Sequence, residues 1–225
     1  MVYSGSSPAR EPLLRWRTSR PQLLRLLAGL WLFGTGDALI IGARLGNAPW
    51  TVLAEGVSLR TPLLVGAATL VIGVVVLLGW IPLRERPGLG TVLNVIVIGV
   101  AIDVMLALLP APAGLAARWA ALTAGIALVG VGSGLYLTAA LGPGPRDGWM
   151  TGLHRRFGWP LSTIRLGIES GVLLGGWLLG GTVGVGTVAF AALIGPAVGA
   201  SVRLAGARPL TGSAPASSAA AARIG

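Results

Sequence analysis

Residues 28–49 recur 96 residues further along the chain, with ten of the 22 compared positions identical. Ala28-Gly29-Leu30-Trp31-Leu32-Phe33-Gly34-Thr35-Gly36 falls on Ala124-Gly125-Ile126-Ala127-Leu128-Val129-Gly130-Val131-Gly132. Leu39/Leu135, Ala43/Ala139, Leu45/Leu141, Gly46/Gly142 and Pro49/Pro145 extend the match. The same offset sets Gly88-Leu89-Gly90-Thr91-Val92 on Gly184-Val185-Gly186-Thr187-Val188 and Ile98-Gly99 on Ile194-Gly195. A chain that writes one unit twice must fold as two related halves. In an apolar chain, that pattern marks transporter folds.

The solvent follows from composition. Apolar residues make up 54% of the 225 positions and charged residues only 11%, where a soluble domain carries about a quarter charged. Several apolar runs reach the ~20 residues that cross a bilayer as a helix, and no ~10-residue alternating segments suggest a transmembrane barrel. The fold class is all-α and polytopic. About six transmembrane helices are expected, near 22–43, 61–81, 90–109, 115–141, 160–180 and 184–205. They form two three-helix repeats, at 22–109 and 115–205. Residues 1–21 read as a basic cytoplasmic segment, and the small-residue stretch 206–225 reads as a disordered cytoplasmic tail. No cleavable signal peptide is expected, because the basic start leads directly into a full-length span.

Two shorter stretches stand apart from the spans. Residues 47–58 begin Asn47-Ala48-Pro49-Trp50, and residues 143–157 begin Pro143-Gly144-Pro145-Arg146-Asp147-Gly148-Trp149. Each follows a Leu-Gly pair, and each has proline near its start, where a helix tolerates it. Their length predicts interfacial or re-entrant helices, one per repeat.

The formal charge is +10 and every basic residue is arginine. In a membrane chain this charge orients the protein and contacts anionic lipid, so no nucleic-acid partner is expected. Placing the N-terminus in the cytoplasm puts thirteen arginines inside and three (Arg44, Arg60 and Arg118) outside, with Arg165 within a span. That asymmetry predicts a bacterial cytoplasmic (inner) membrane protein with both termini inside. Trp50, Trp80, Trp119, Trp149 and Trp159 are expected at the interfaces. An odd number of spans per repeat sets the second half upside down relative to the first, with the axis in the membrane plane.

No cysteine is present and His154 is the single histidine. No metal site, thiol nucleophile or cofactor is expected. Ser133 in Gly132-Ser133-Gly134 lacks the earlier glycine of a nucleophile elbow and has no histidine nearby, so no enzyme is expected. The polar groups within the spans are few. An intramembrane acid usually faces the bundle interior and finds a partner. Asp37 and Asp103 are expected at similar depth. They could form a proton or cation site, or pair with Arg44 or Arg118 as structural links. Arg165 and Glu169 lie four apart on one helix face, with Glu169 near mid-membrane as a coupling or substrate acid. Arg146 and Asp147 belong to the second short helix. The N-termini of both short helices expose unpaired N–H groups, which could hold an anion from two sides.

The chain resembles the YczE/YyaS/YitT family of bacterial integral membrane proteins, closest to its YczE branch. The resemblance spans about residues 22–204. It is carried by Gly36-Asp37-Ala38-Leu39, Leu45-Gly46-Asn47-Ala48-Pro49-Trp50, Leu141-Gly142-Pro143-Gly144-Pro145-Arg146-Asp147-Gly148, Arg165 with Glu169, and Gly176-Trp177-Leu178-Leu179-Gly180-Gly181 leading into Gly184-Val185-Gly186-Thr187. It implies a multi-span membrane protein and supplies no substrate or site residue. The expected function is a small secondary transporter-like protein that moves a small solute by alternating access and is compatible with a homodimer. The competing expectation is a non-transporting membrane scaffold or regulator that acts through a protein partner.

Overall fold

A computed structural model describes residues 16–205. The expectations for the tail at 206–225 and for residues 1–15 lie outside the described residues. Nine helices are present among those described: α1 (Arg20–Ala43), α2 (Pro49–Arg60), α3 (Val65–Leu78), α4 (Trp80–Leu83), α5 (Leu89–Leu108), α6 (Gly114–Thr138), α7 (Pro145–Phe157), α8 (Leu161–Leu178) and α9 (Val185–Leu204). The described residues contain no strand.

Five segments are long and apolar enough to cross a membrane: Arg20–Ala43, Val65–Leu83, Leu89–Leu108, Gly114–Thr138 and Val185–Leu204. The expected fifth span, 160–180, forms α8. This helix is only 18 residues long and carries Arg165 and Glu169, so it falls short of the apolar character of the others. The second span begins at Val65 rather than 61, and a break at Gly79 divides it into α3 and the single turn α4. The short segments form α2 and α7, each with proline as its first helical residue.

The centre is the antiparallel crossing of α1 and α6. A methyl on Gly29 would stand 2.8 Å from the Gly132 carbonyl oxygen, and one on Gly36 would stand 2.6 Å from the Gly125 oxygen. Adding 96 to 29 gives 125, and adding 96 to 36 gives 132. The two contacts are therefore exchanged by the repeat offset. Only glycine allows two helix backbones to approach this closely.

The cores repeat the same exchange. One cluster gathers Leu26, Leu30, Ile98, Ile102, Tyr136, Ala139 and Leu141. The other gathers Ile40, Ala43, Leu122, Ile126 and Val129, with Leu45 and Ile194 against it. Leu26 and Leu30 correspond to Leu122 and Ile126, and Tyr136 and Ala139 correspond to Ile40 and Ala43. Helix α5 packs on α1 as α9 packs on α6.

The Leu-Gly and Gly-x-Gly-Thr motifs clasp one another across the halves. Gly90 N donates to Leu141 O at 2.8 Å, and Gly186 N donates to Leu45 O at 2.7 Å. Gly46 and Gly142 adopt φ of +115° and +127°, in the left-handed region that favours glycine. A side chain on Gly46 would meet Gly184, and one on Gly142 would meet Thr91. Thr91 and Thr187 accept from the N–H groups of Gly88 and Gly184, which start their helices.

The halves differ in how this second long helix packs. Helices α3 and α5 pack closely, with a methyl on Gly99 falling 2.7 Å from the Gly66 oxygen. The equivalent helices α8 and α9 scarcely touch. Gly195, the counterpart of Gly99, has nothing within 4 Å of where a side chain would begin.

Candidate functional site

The first turns of α2 and α7 meet. Trp50 and Arg146 are each the second residue of their short helix and correspond by the 96-residue offset. The Arg146 guanidinium lies over the Trp50 ring, 4.8 Å from its centroid, at cation–π distance. The first turns of the two short helices thus touch through these side chains.

Arg146 is half-buried. Burial lowers its pKa, while Asp37, Asp147, Glu169 and Tyr136 act in the opposite direction. No carboxylate oxygen stands within 4.0 Å of its nitrogens among the described residues, where the ion pairs are Arg155–Glu85 and Arg165–Glu169. Its five donors make no hydrogen bond to the described residues. Asp37, from α1, is 3% exposed. Its carboxylate likewise accepts no hydrogen bond from a described residue.

Asp147 accepts from Gly144 N at 3.2 Å through Oδ2, closing the first turn of α7. The Asp147 side chain is exposed, and its second oxygen has no partner among the described residues.

Asn47 and Trp50 complete the junction. Asn47 is 1% exposed. Its Nδ2 donates to Glu55 Oε2 at 2.8 Å, and because a carboxylate only accepts, this bond fixes the amide orientation. Asn47 Oδ1 and Trp50 Nε1 are then both buried without a hydrogen-bond partner. One is an acceptor and the other a donor.

Asp103 lies elsewhere and does other work. Its oxygens accept from Gly66 N at 2.6 Å and Ala67 N at 2.9 Å. The acid therefore caps the first turn of α3 and latches α3 to α5. It pairs with neither Asp37 nor Arg44 nor Arg118. Arg165 Nε donates to Glu169 Oε1 at 2.9 Å, as the four-residue spacing predicts. The pair sits on a largely uncovered face of α8, with the Arg165 side chain 59% exposed.

Trp80 and Trp149 hydrogen-bond within the protein. Trp80 is 1% exposed and donates to Pro145 O at 2.9 Å, while Trp149 donates to Val76 O at 2.7 Å. Each brings an indole N–H to a backbone carbonyl between α3–α4 and α7. Both pack against glycine, Trp80 on Gly148 and Trp149 on Gly79.

Sequence reasoning passed over Glu55. It accepts from Asn47 Nδ2, from Thr182 N at 2.6 Å and from Thr182 Oγ1 at 2.9 Å, tying α2 to the α8–α9 connection. In the other half, Thr151 and Arg155 of α7 donate to Glu85, which follows α4. Glu55 corresponds to Thr151 by the offset. The same junction keeps its acid, but the acid comes from the opposite element. No identity signal could reveal that exchange.

Fold and site together define a polytopic α-helical membrane protein. The chain belongs to the YczE-like family of membrane proteins and matches the family of unknown function DUF6198 over residues 21–203. An uncharacterized protein of Haemophilus influenzae is 43% identical over 183 residues, 81% of this chain and 84% of that protein. The uncharacterized membrane protein YczE of Bacillus subtilis is 34% identical over 189 residues, 83% of this chain and 84% of its own length. No solved structure matches the chain.

Proposed function

We propose that this protein is a small secondary transporter that moves a small solute by alternating access between two inverted repeats. The observation that carries this reading is the unequal packing of equivalent helices: α3 is latched to α5, whereas α8 stands off α9. If two repeats of one sequence design hold different conformations, exchanging those conformations gives a second state of similar energy. The first state is open along one repeat and the second along the other. The exchanged contacts of α1 with α6 and the paired Leu-Gly clasps supply a fixed centre about which the halves move. The solute site is the junction of Trp50 and Arg146, with Asn47 and Asp147.

In this reading α8 is the sixth span. The protein lies in the bacterial cytoplasmic membrane with both termini inside, as the arginine distribution favours. The α8–α9 side then opens to the cytoplasm. A second reading draws on the uncovered charged face of α8, which suits a protein partner or a second copy of the chain and would make this a scaffold.

Paired intracellular and extracellular metabolite profiling separates the two readings. A strain lacking the protein is compared with strains carrying wild type, Arg146→Gln or Glu169→Gln at matched membrane abundance. Transport predicts a small molecule whose distribution shifts on deletion and is restored by wild type but by neither variant. Equal rescue by all three, or no shift on deletion, supports the scaffold.

A further inference from the structure

We infer that a small carboxylate anion binds at the start of α8 and closes that helix onto α9, as the Asp103 carboxylate closes α3 onto α5. The inference rests on the transporter reading and names the ligand that drives its second state. The two halves hold the same helices at this place but not the same charges. Helix α3 starts at Val65 and α8 at Leu161. Helix α5 starts at Leu89 and α9 at Val185, so both pairs keep the 96-residue offset. In the first half the N–H groups of Gly66 and Ala67 donate to the two oxygens of Asp103, at 2.6 Å and 2.9 Å. The counterparts of Gly66 and Ala67 are Ser162 and Thr163, and the counterpart of Asp103 is Gly199.

The second half therefore keeps the donors and lacks the acceptor. The N-cap residue of α8 is Pro160, and no side chain caps the helix. The N–H groups of Ser162 and Thr163 have no acceptor among the described residues. They carry the partial positive charge of the helix start. The place of the Asp103 side chain is taken by a second positive group. Arg203 Nε donates to Gly199 O at 3.2 Å, and Arg203 Nη2 stands 3.6 Å from where a Gly199 side chain would begin. The terminal nitrogens of Arg203 have no ion pair or hydrogen bond among the described residues. Its counterpart in the first half is Ala107.

Docking α8 on α9 as α3 docks on α5 would turn the Ser162 and Thr163 N–H groups toward Arg203 with no acceptor between them. Positive groups would meet, and donors would leave water without partners. A carboxylate from solution supplies what Asp103 supplies in the first half: one oxygen for each N–H and a negative charge. Its remaining lone pairs face a guanidinium, whose planar fork matches a carboxylate. The hydroxyls of Ser162 and Thr163, where the first half has glycine and alanine, add donors on the same turn. Gly199 leaves the space that the guest fills. The first half carries its own latch, and the second waits for one.

The test uses the full chain in phosphatidylcholine nanodiscs, with spin labels at Pro160 and Leu204 across α8–α9. Sodium acetate replaces sodium chloride at constant ionic strength, and pulsed electron resonance reads the distance. The expected result is a short-distance population that grows as acetate rises. Acetamide, which lacks the charge, should leave it unchanged. Arg203→Gln should need at least ~10-fold more acetate for the same shift, as loss of a charged hydrogen bond requires. Gly199→Asp combined with Arg203→Ala gives the second half the residues of the first. This double variant should populate the short distance without acetate and lose the response to it.

A wild-type distance distribution that is the same in chloride and acetate overturns the inference. So does an equal response to acetamide, or an equal acetate requirement in Arg203→Gln. Growth of the short population on adding phosphatidylglycerol, with acetate withheld and without effect, overturns it as well by assigning the anion to a lipid headgroup. If the double variant closes α8 on α9 while acetate does nothing to wild type, the anion is lost but the exchange of repeat conformations stands. A folded double variant that never closes α8 on α9 instead ends the transporter reading itself.

Discussion

Asp103 is the group on which the balance between the two states should turn. Its carboxylate accepts two backbone N–H groups, from Gly66 and Ala67, at the start of α3. Replacing an N-terminal capping acceptor typically costs about 1 kcal/mol and up to about 2, with charged acceptors at the upper end. Asp103→Asn keeps one acceptor and loses the charge. It should weaken the α3–α5 latch by about 1–2 kcal/mol, which multiplies the population of the unlatched state by roughly 5–30. Asp103→Ala should do more.

The chain contains no cysteine, so single introduced thiols report without background. Leu70 lies in the α3–α5 seam, its Cβ 3.3 Å from where a Gly99 side chain would begin. Labelling of Leu70→Cys should accelerate by that factor in the Asp103→Asn background. Ser162 and Gly195 are the repeat counterparts of Gly66 and Gly99. A disulfide between Ser162→Cys and Gly195→Cys should form only when α8 closes on α9, since the bond needs Cα atoms about 4.4–6.8 Å apart. Its rate should rise by the same factor. If labelling at Leu70→Cys accelerates while disulfide formation does not, the latch merely frays locally and the exchange of repeat conformations is refuted.

Other substitutions test the frame. Gly36→Ala should destabilise the protein by about 1–3 kcal/mol through overpacking against Gly125, whereas Gly42→Ala, whose nearest neighbour is Pro112 at 3.9 Å, should be tolerated; thermal unfolding in nanodiscs distinguishes them. Glu55→Gln should cost about 1–3 kcal/mol, because three donors share that half-buried carboxylate, and should increase hydrogen exchange at Thr182. Glu85→Gln should change stability by under about 1 kcal/mol, because its arginine partner is exposed. Trp149→Phe, which removes the N–H bonded to Val76 O, should lower the unfolding midpoint by an amount matching about 1 kcal/mol.

The sequence carried the frame because the frame rests on glycine and on identity. Gly29, Gly36, Gly125 and Gly132 were visible as a repeated pattern, and the same four residues form the central crossing. Pro49 and Pro145 marked the starts of α2 and α7 for the same local reason. The site was less legible. Trp50 and Arg146 are equivalent positions with different side chains, so comparing the halves for identity discards both. Asp103 was readable as an intramembrane acid, but its partners are backbone N–H groups of α3, which leave no trace in residue types. Glu55 sat in a segment too short to span, where an acid draws no notice, and its partner Thr182 is 127 residues away. Trp80, at a span end, and Trp149, in a short stretch between spans, both suited a lipid interface. Only packing against Gly148 and Gly79 turns them inward.

Paired distance measurements test the account most directly. Spin labels at Leu64 and Leu108 report the α3–α5 seam, and labels at Pro160 and Leu204 report α8–α9. All four positions are exposed, and the pairs are related by the 96-residue offset. Pulsed electron resonance on the full chain in nanodiscs should give a short and a long distance for each pair. As membrane potential or solute shifts the balance, one pair should lengthen while the other shortens. A single unchanging distance in each pair, short for α3–α5 and long for α8–α9, would contradict alternating access and leave a static membrane scaffold.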